Sequence, residues 1–120
     1  MKKPDEHVRT TLDTALDGKT SLPVSGVYIL AYMGKIVYVG QSVDIPYRLL
    51  HHCRYGKHLI DAWLYGMRFD YENIRLDILA SYDEAWMKEA ESTCIRYFRP
   101  LLNTQLNQGD LSGSDSLTSG

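Results

Sequence analysis

The sequence predicts an α+β domain whose elements run in the order ββααβα. Three observations predict it. Two runs rich in β-branched and aromatic residues, GVYILAY and KIVYVG, are separated by a short segment containing Gly34, the mark of a hairpin. Apolar residues recur at helical spacing after Asp44 and again after Asp83. A third alternating run, NIRLDILA, lies between those helical stretches.

Residues 1–24 read as a polar N-terminal extension with a short helix around Val8 to Leu16, closed by Pro23. The hairpin follows. A three-residue loop, Tyr32 to Gly34, with glycine in its left-handed place would set Ala31 opposite Lys35, Tyr28 opposite Tyr38 and Gly26 opposite Gly40. Cross-strand partners share a face, so this register puts both tyrosines together. Asp44 serves as N-cap and Pro46 sits in the first turn of a helix running to about Arg54. Its buried stripe is Ile45, Leu49, Leu50 and Cys53, with Arg48 and His52 side by side at the stripe's edge. A second helix, about Lys57 to Tyr65, carries Leu59, Ile60, Trp63 and Leu64. The strand Asn73 to Ala80 leads through a capping box, Ser81 to Glu84, into a helix that Pro100 stops at Arg99. The domain proper spans 25–107, and the Gly/Ser/Asp-rich tail 108–120 reads as disordered.

Composition excludes some functions and qualifies others. Apolar residues make 44% of the 120 and charged residues 23%, the balance of a globular domain. The longest apolar run, Val27 to Met33, cannot span a bilayer, and the N-terminus has no apolar signal-peptide core. A cytoplasmic protein is the expectation. Cys53 and Cys94, without a CxxC spacing, read as small hydrophobes in a reducing compartment. The net charge of −2 argues against nucleic acid until it is divided along the chain. Residues 25–100 hold nine bases and nine acids, and the excess acids sit in the tail. Arg48 to His58, RLLHHCRYGKH, holds two Arg, one Lys, three His and no acid. The His spacing there fits no zinc-ligand pattern.

Glu91 is the most informative residue. On a helical wheel Trp86, Tyr97, Ala90, Cys94, Met87, Phe98 and Ile95 sweep one apolar arc, and Glu91 falls inside it. A carboxylate among core positions costs several kcal/mol unless it is paired or binds a cation. An arginine partner and a functional role both answer that cost.

Taken in order, these residues resemble the GIY-YIG nuclease family. Gly26-Val27-Tyr28 and Tyr38-Val39-Gly40 look like the two halves of its signature, each with Val for Ile. Arg48 follows Tyr38 by ten residues, His52 comes one turn later, Glu91 lies nine before Pro100, and Asn103 follows that proline. The resemblance spans Gly26 to Asn103. It implies a central antiparallel three-stranded sheet flanked by helices, and a phosphodiester hydrolase acting on DNA. It also implies one Mg²⁺ or Mn²⁺ on Glu91, with water and phosphate oxygens in the other positions. The catalytic set it implies is Tyr28, Tyr38, Arg48, His52 and Glu91.

The residue types suit that chemistry. Attack of water on a phosphodiester builds negative charge on the phosphate oxygens and the leaving oxygen. Arg48 offers planar, permanently charged donors. Tyr38 is favoured as the base for water, with Tyr28 as a phosphate or water ligand and His52 polarising Tyr38 or acting as base itself. Lys35, Gln41, Arg54, Lys57, His58 and Asn103 are expected to contact nucleic acid, and Tyr47 and Tyr55 could add to them. Gln41 stands where several family members carry Lys, which implies either weaker activity or that Lys35 or Arg54 takes over part of that charge. A separate DNA-recognition domain or protein is the expected partner. A catalytically weak or silent nucleic-acid-binding module is the alternative reading.

Overall fold

The hairpin is the centre of the molecule. In the computed structural model, which describes residues 1–55 and 58–103, it pairs β2 (Gly26–Tyr32) with β3 (Lys35–Ser42). The turn is tighter than expected: Tyr32 pairs with Lys35, leaving Met33 and Gly34 as a two-residue loop with φ of 52° and 79°. Positive φ at both loop residues is the type I′ geometry, whose twist matches that of paired strands. The missing loop residue reappears inside β3. Leu30 faces Tyr38 and Ala31 faces Ile36, so Val37 is bulged. The bulge undoes the parity change of the shorter loop, and Tyr28 and Tyr38 share a face. They are not direct partners, because Tyr28 lies opposite Gly40 and Gly26 opposite Ser42.

The sheet has four antiparallel strands where three were expected, in the order β1-β4-β2-β3. Its extra edge, β1 (Glu6–Thr11), comes from the segment read as a polar extension and pairs with β4 (Ile74–Ala80). The helix expected over Val8 to Leu16 is thereby shortened to α1 (Leu12–Leu16), which opens where the Thr14 amide donates to the Thr11 hydroxyl at 3.2 Å. EHVRTT satisfies both patterns. Val8 packs on the core, while His7 and Arg9 turn to the other face and reach Asp77. Pairing wins because it satisfies a row of β4 backbone groups.

Each face of the sheet has its own core. Tyr28, Leu30, Tyr38, Leu76 and Ile78 pack with Leu12, with Ile45 and Leu49 of α2 (Ile45–Tyr55), and with Ile60 and Leu64 of α3 (Leu59–Gly66). Val27, Ile29 and Val39 pack with Trp86, Met87 and Ala90 of α4 (Glu84–Phe98). The α2 stripe is rotated from the expected one: Leu50 is exposed and His52 is buried in its place. Asp83, not Ser81, caps α4, accepting from the Ala85 and Trp86 amides at 3.0 and 3.2 Å. Tyr97 and Phe98, assigned to the buried arc, are exposed. Among the described residues no helix is long and apolar enough to cross a membrane. The tail 108–120 lies outside the described residues.

Candidate active site

The site is built around β3, an edge strand reached from both faces of the sheet. The two motif glycines make room for it. A Cβ on Gly40 would lie 2.6 Å from both Cζ and Oη of Tyr28 and 3.0 Å from Cε2 of Tyr38. Only a residue without a side chain lets the Tyr28 ring occupy that space. Gly26, at φ +153°, would drive a Cβ to 2.3 Å from the Leu79 carbonyl oxygen, so it sets how closely β2 approaches β4.

On the α2 side three rings meet. Tyr28 and Tyr38 have centroids 6.1 Å apart, and His52 lies 6.0 Å from the first and 5.6 Å from the second. His52, expected to polarise Tyr38 or to act as base itself, hydrogen-bonds Tyr28, with Nε2 2.8 Å from the hydroxyl oxygen. His52 Nδ1 stands 2.7 Å from Asp61 Oδ1, inside the fold. Asp61 was missed in the sequence. Its position beside Ile60 and three residues before Leu64 was the available signal, a carboxylate against the apolar face of α3. Its Oδ2 also accepts from the His58 amide at 3.2 Å, a helix-start bond that gives an acid at that spacing an ordinary explanation.

Burial governs the protonation of this cluster. It pushes the Tyr28 phenol far above its usual range, with Tyr38 adding to the push and the Arg48 guanidinium opposing it. Tyr38 is also raised by burial, against the charge of Arg48. His52 is lowered by burial, which outweighs the Asp61 hydrogen bond. At neutral pH the rings are therefore two phenols and a neutral imidazole.

Glu91 approaches from the other side of the sheet, on α4. It is half-buried, and its Oε1 accepts from Gln41 Nε2 at 2.8 Å, next to Gly40. Its charge is felt at both Tyr28 and Tyr38. Among the described residues Glu91 makes no salt bridge, so the arginine partner is absent and the charge is answered by a neutral amide. A carboxylate so placed fits a hard cation. Among the described residues no three His, Cys, Asp or Glu converge.

The remaining expected residues are distributed unevenly. Asn103 is committed to the edge strand: its Oδ1 accepts from the Val39 amide and its Nδ2 donates to the Val39 carbonyl, both at 2.8 Å. Its amide behaves as one residue of a fifth strand. Lys35 lies at the hairpin end of β3, about 20 Å along the strand from Gln41 at 3.3 Å per residue. Arg54 is exposed on α2, six residues beyond Arg48 and so on a different side of the helix. Neither stands beside Gln41. His58 is exposed at the start of α3, and the Tyr47 and His51 rings are tilted neighbours on α2 with centroids 6.0 Å apart. Lys57 and the Tyr55 side chain lie outside the described residues.

No protein-family model and no curated protein matches the chain. Solved structures do. Two structures of the GIY-YIG N-terminal endonuclease domain of UvrC from Thermotoga maritima align with a TM-score of 0.56. They are 16% and 18% identical over 75% of this chain and 90% of theirs, and each is a tyrosine-to-phenylalanine mutant bound to the catalytic divalent cation. The chain has the GIY-YIG fold. Within that GIY-YIG fold, Tyr28, Tyr38, Arg48 and His52 gather on the α2 side of the sheet, and Glu91 lies on the α4 side against Gln41 of the edge strand.

Proposed function

We propose that this chain is a divalent-metal-dependent endonuclease that hydrolyses phosphodiester bonds in DNA. It would act in the cytoplasm, where the free thiols of Cys53 and Cys94 stay reduced, with a separate domain or protein supplying target recognition. One observation carries the reading: two tyrosines, a histidine and an arginine gather beside the edge strand within electrostatic reach of Glu91, which makes no salt bridge among the described residues.

Glu91 would hold Mg²⁺ or Mn²⁺, with water and phosphate oxygens completing the shell. The bound cation supplies Lewis-acid stabilisation of charge on the phosphate and the leaving oxygen. Arg48, exposed at the rim, donates to nonbridging oxygens. The attacking water loses its proton at the tyrosine pair. Tyr38 is the more exposed of the two and receives the water, whereas Tyr28 has the proton acceptor behind it. Neutral His52 therefore takes the proton by way of Tyr28. Gln41 orients the Glu91 carboxylate.

The Gln41 contact also favours the second reading, a weak or silent binding module, because it occupies a carboxylate oxygen without adding the charge of a lysine. Supercoiled, single-stranded and branched DNA incubated with Mg²⁺ or Mn²⁺ separates the two. Cleavage by the wild type that both Glu91→Ala and Arg48→Ala lose supports the nuclease. Equal cleavage by all three proteins overturns the site. Binding by all three without cutting supports the module.

A further inference from the structure

The nuclease reading leaves unexplained why a carboxylate is buried behind His52. Asp61 is 1% exposed and His52 2%, so neither lies open to a phosphate in solvent. We propose that Asp61 is a positioning residue for the reaction, holding the His52 proton on Nδ1 so that Nε2 faces Tyr28 as an acceptor. The proposal rests on the nuclease reading and extends it one layer inward.

The argument is one of donors and acceptors. A carboxylate only accepts, so the 2.7 Å contact makes Nδ1 the protonated nitrogen. In a neutral imidazole the other nitrogen then accepts, and the 2.8 Å contact requires the Tyr28 hydroxyl to donate to it. Without Asp61 the imidazole could carry its proton on Nε2 and accept nothing from Tyr28. Asp61 is itself held, since the His58 amide fixes its second oxygen from the start of α3. The charged and titratable groups around His52 are Tyr28 on β2, Tyr38 on β3, Arg48 and His51 on α2, and Asp61 on α3. Asp61 is the anion among them.

The proton count closes. As water oxygen bonds to phosphorus, one water O–H breaks and a proton enters the tyrosine pair. The Tyr28 hydroxyl proton passes to His52 Nε2, and the imidazolium so formed lies against Asp61. The bond from phosphorus to the leaving sugar oxygen breaks, and that oxygen takes a proton from solvent. Later the imidazolium returns its proton to solvent.

The test combines kinetics with the nitrogen NMR spectrum of His52. In the wild type the spectrum should show Nδ1 protonated and Nε2 bare. In Asp61→Asn the expected result is a shift of population towards the Nε2–H form and a fall in kcat of about 100-fold, with KM for DNA unchanged. Asp61→Glu, which restores the carboxylate on a longer arm, should recover part of the loss. A wild-type spectrum showing Nε2–H overturns the proposal and needs no variant that must fold. So does an Asp61→Asn protein with unchanged kcat, or one whose loss lies wholly in KM. If the wild type cuts no DNA, the nuclease reading falls and the catalytic role of Asp61 with it. The tautomer spectrum would still decide what Asp61 does to His52.

Discussion

Asp77 and Glu91 are carboxylates on the same side of the sheet, and the fold treats them in opposite ways. Asp77, on β4, has His7 Nε2 and Arg9 Nε at 2.8 Å from Oδ1 and Arg75 Nε at 2.9 Å from Oδ2. Burial pushes its carboxyl up, but the hydrogen bonds from Arg9 and His7 and the charges of Arg9 and Arg75 hold it below the usual carboxylate range. Glu91 has one neutral amide. The arginine that would have made Glu91 structural is found at Asp77, doubled. A carboxylate surrounded by guanidiniums binds strands together, whereas one left with an amide is, under the proposed function, the one available to a cation.

Glu91→Gln should break the comparison most sharply. It keeps the length of the side chain and an oxygen for Gln41, and removes only the charge. Cleavage should fall by at least about 100-fold, the scale of lost transition-state electrostatics. Mn²⁺ binding by calorimetry should vanish while the melting temperature holds or rises. Asp77→Asn should leave both cleavage and Mn²⁺ binding intact. A Glu91→Gln protein that cuts at the wild-type rate would end the distinction. Gly40→Ala tests the space between the faces. Its Cβ collides with the Tyr28 ring and hydroxyl, so urea unfolding should show a loss of about 1–3 kcal/mol. Cleavage should drop about tenfold or more as the Tyr28–His52 bond is displaced.

Asp77→Ala should be purely structural, costing about 1–3 kcal/mol with kcat unchanged. The pH dependence of that cost has a definite sign. Because the folded carboxyl titrates below its ordinary 3.8, the contribution is complete above that value and disappears as pH falls through the lower folded one. The stabilities of wild type and variant should converge in strong acid. A gap that persists there would assign the effect to packing.

Much of this was legible in the sequence because it depends on local pattern. The hairpin, α2, α3, β4 and α4 follow from period and caps, and the shared face of Tyr28 and Tyr38 follows from parity alone. The position of the extra residue did not follow. A three-residue loop and a two-residue loop with a bulge at Val37 give the same parity, and only pairing with Gly40 distinguishes them. The strand Glu6–Thr11 was hidden because its partner is 70 residues away in sequence, and a local pattern cannot weigh an unpaired sheet edge. Glu91 stood out because apolar residues surround it on its helix. Asp61, with its explanation as a helix-start acid, did not.

Gln41→Lys carries the smallest expected change and bears most directly on the contrast between the two carboxylates. An ammonium in place of the amide would give Glu91 the basic partner that Asp77 already has. In the free protein the new pair should compete with a cation, weakening Mn²⁺ binding several-fold in calorimetry. On DNA the same ammonium can turn to a phosphate and displace one more counterion. The salt dependence of binding should then steepen by about one unit of slope, with KM lowered a few-fold at low salt. The two effects oppose each other in cleavage, so kcat at saturating metal should stay within a few-fold of the wild type. Unchanged Mn²⁺ affinity would place the cation away from the Glu91 oxygen that Gln41 touches, and an unchanged salt slope would place the phosphate out of reach of position 41.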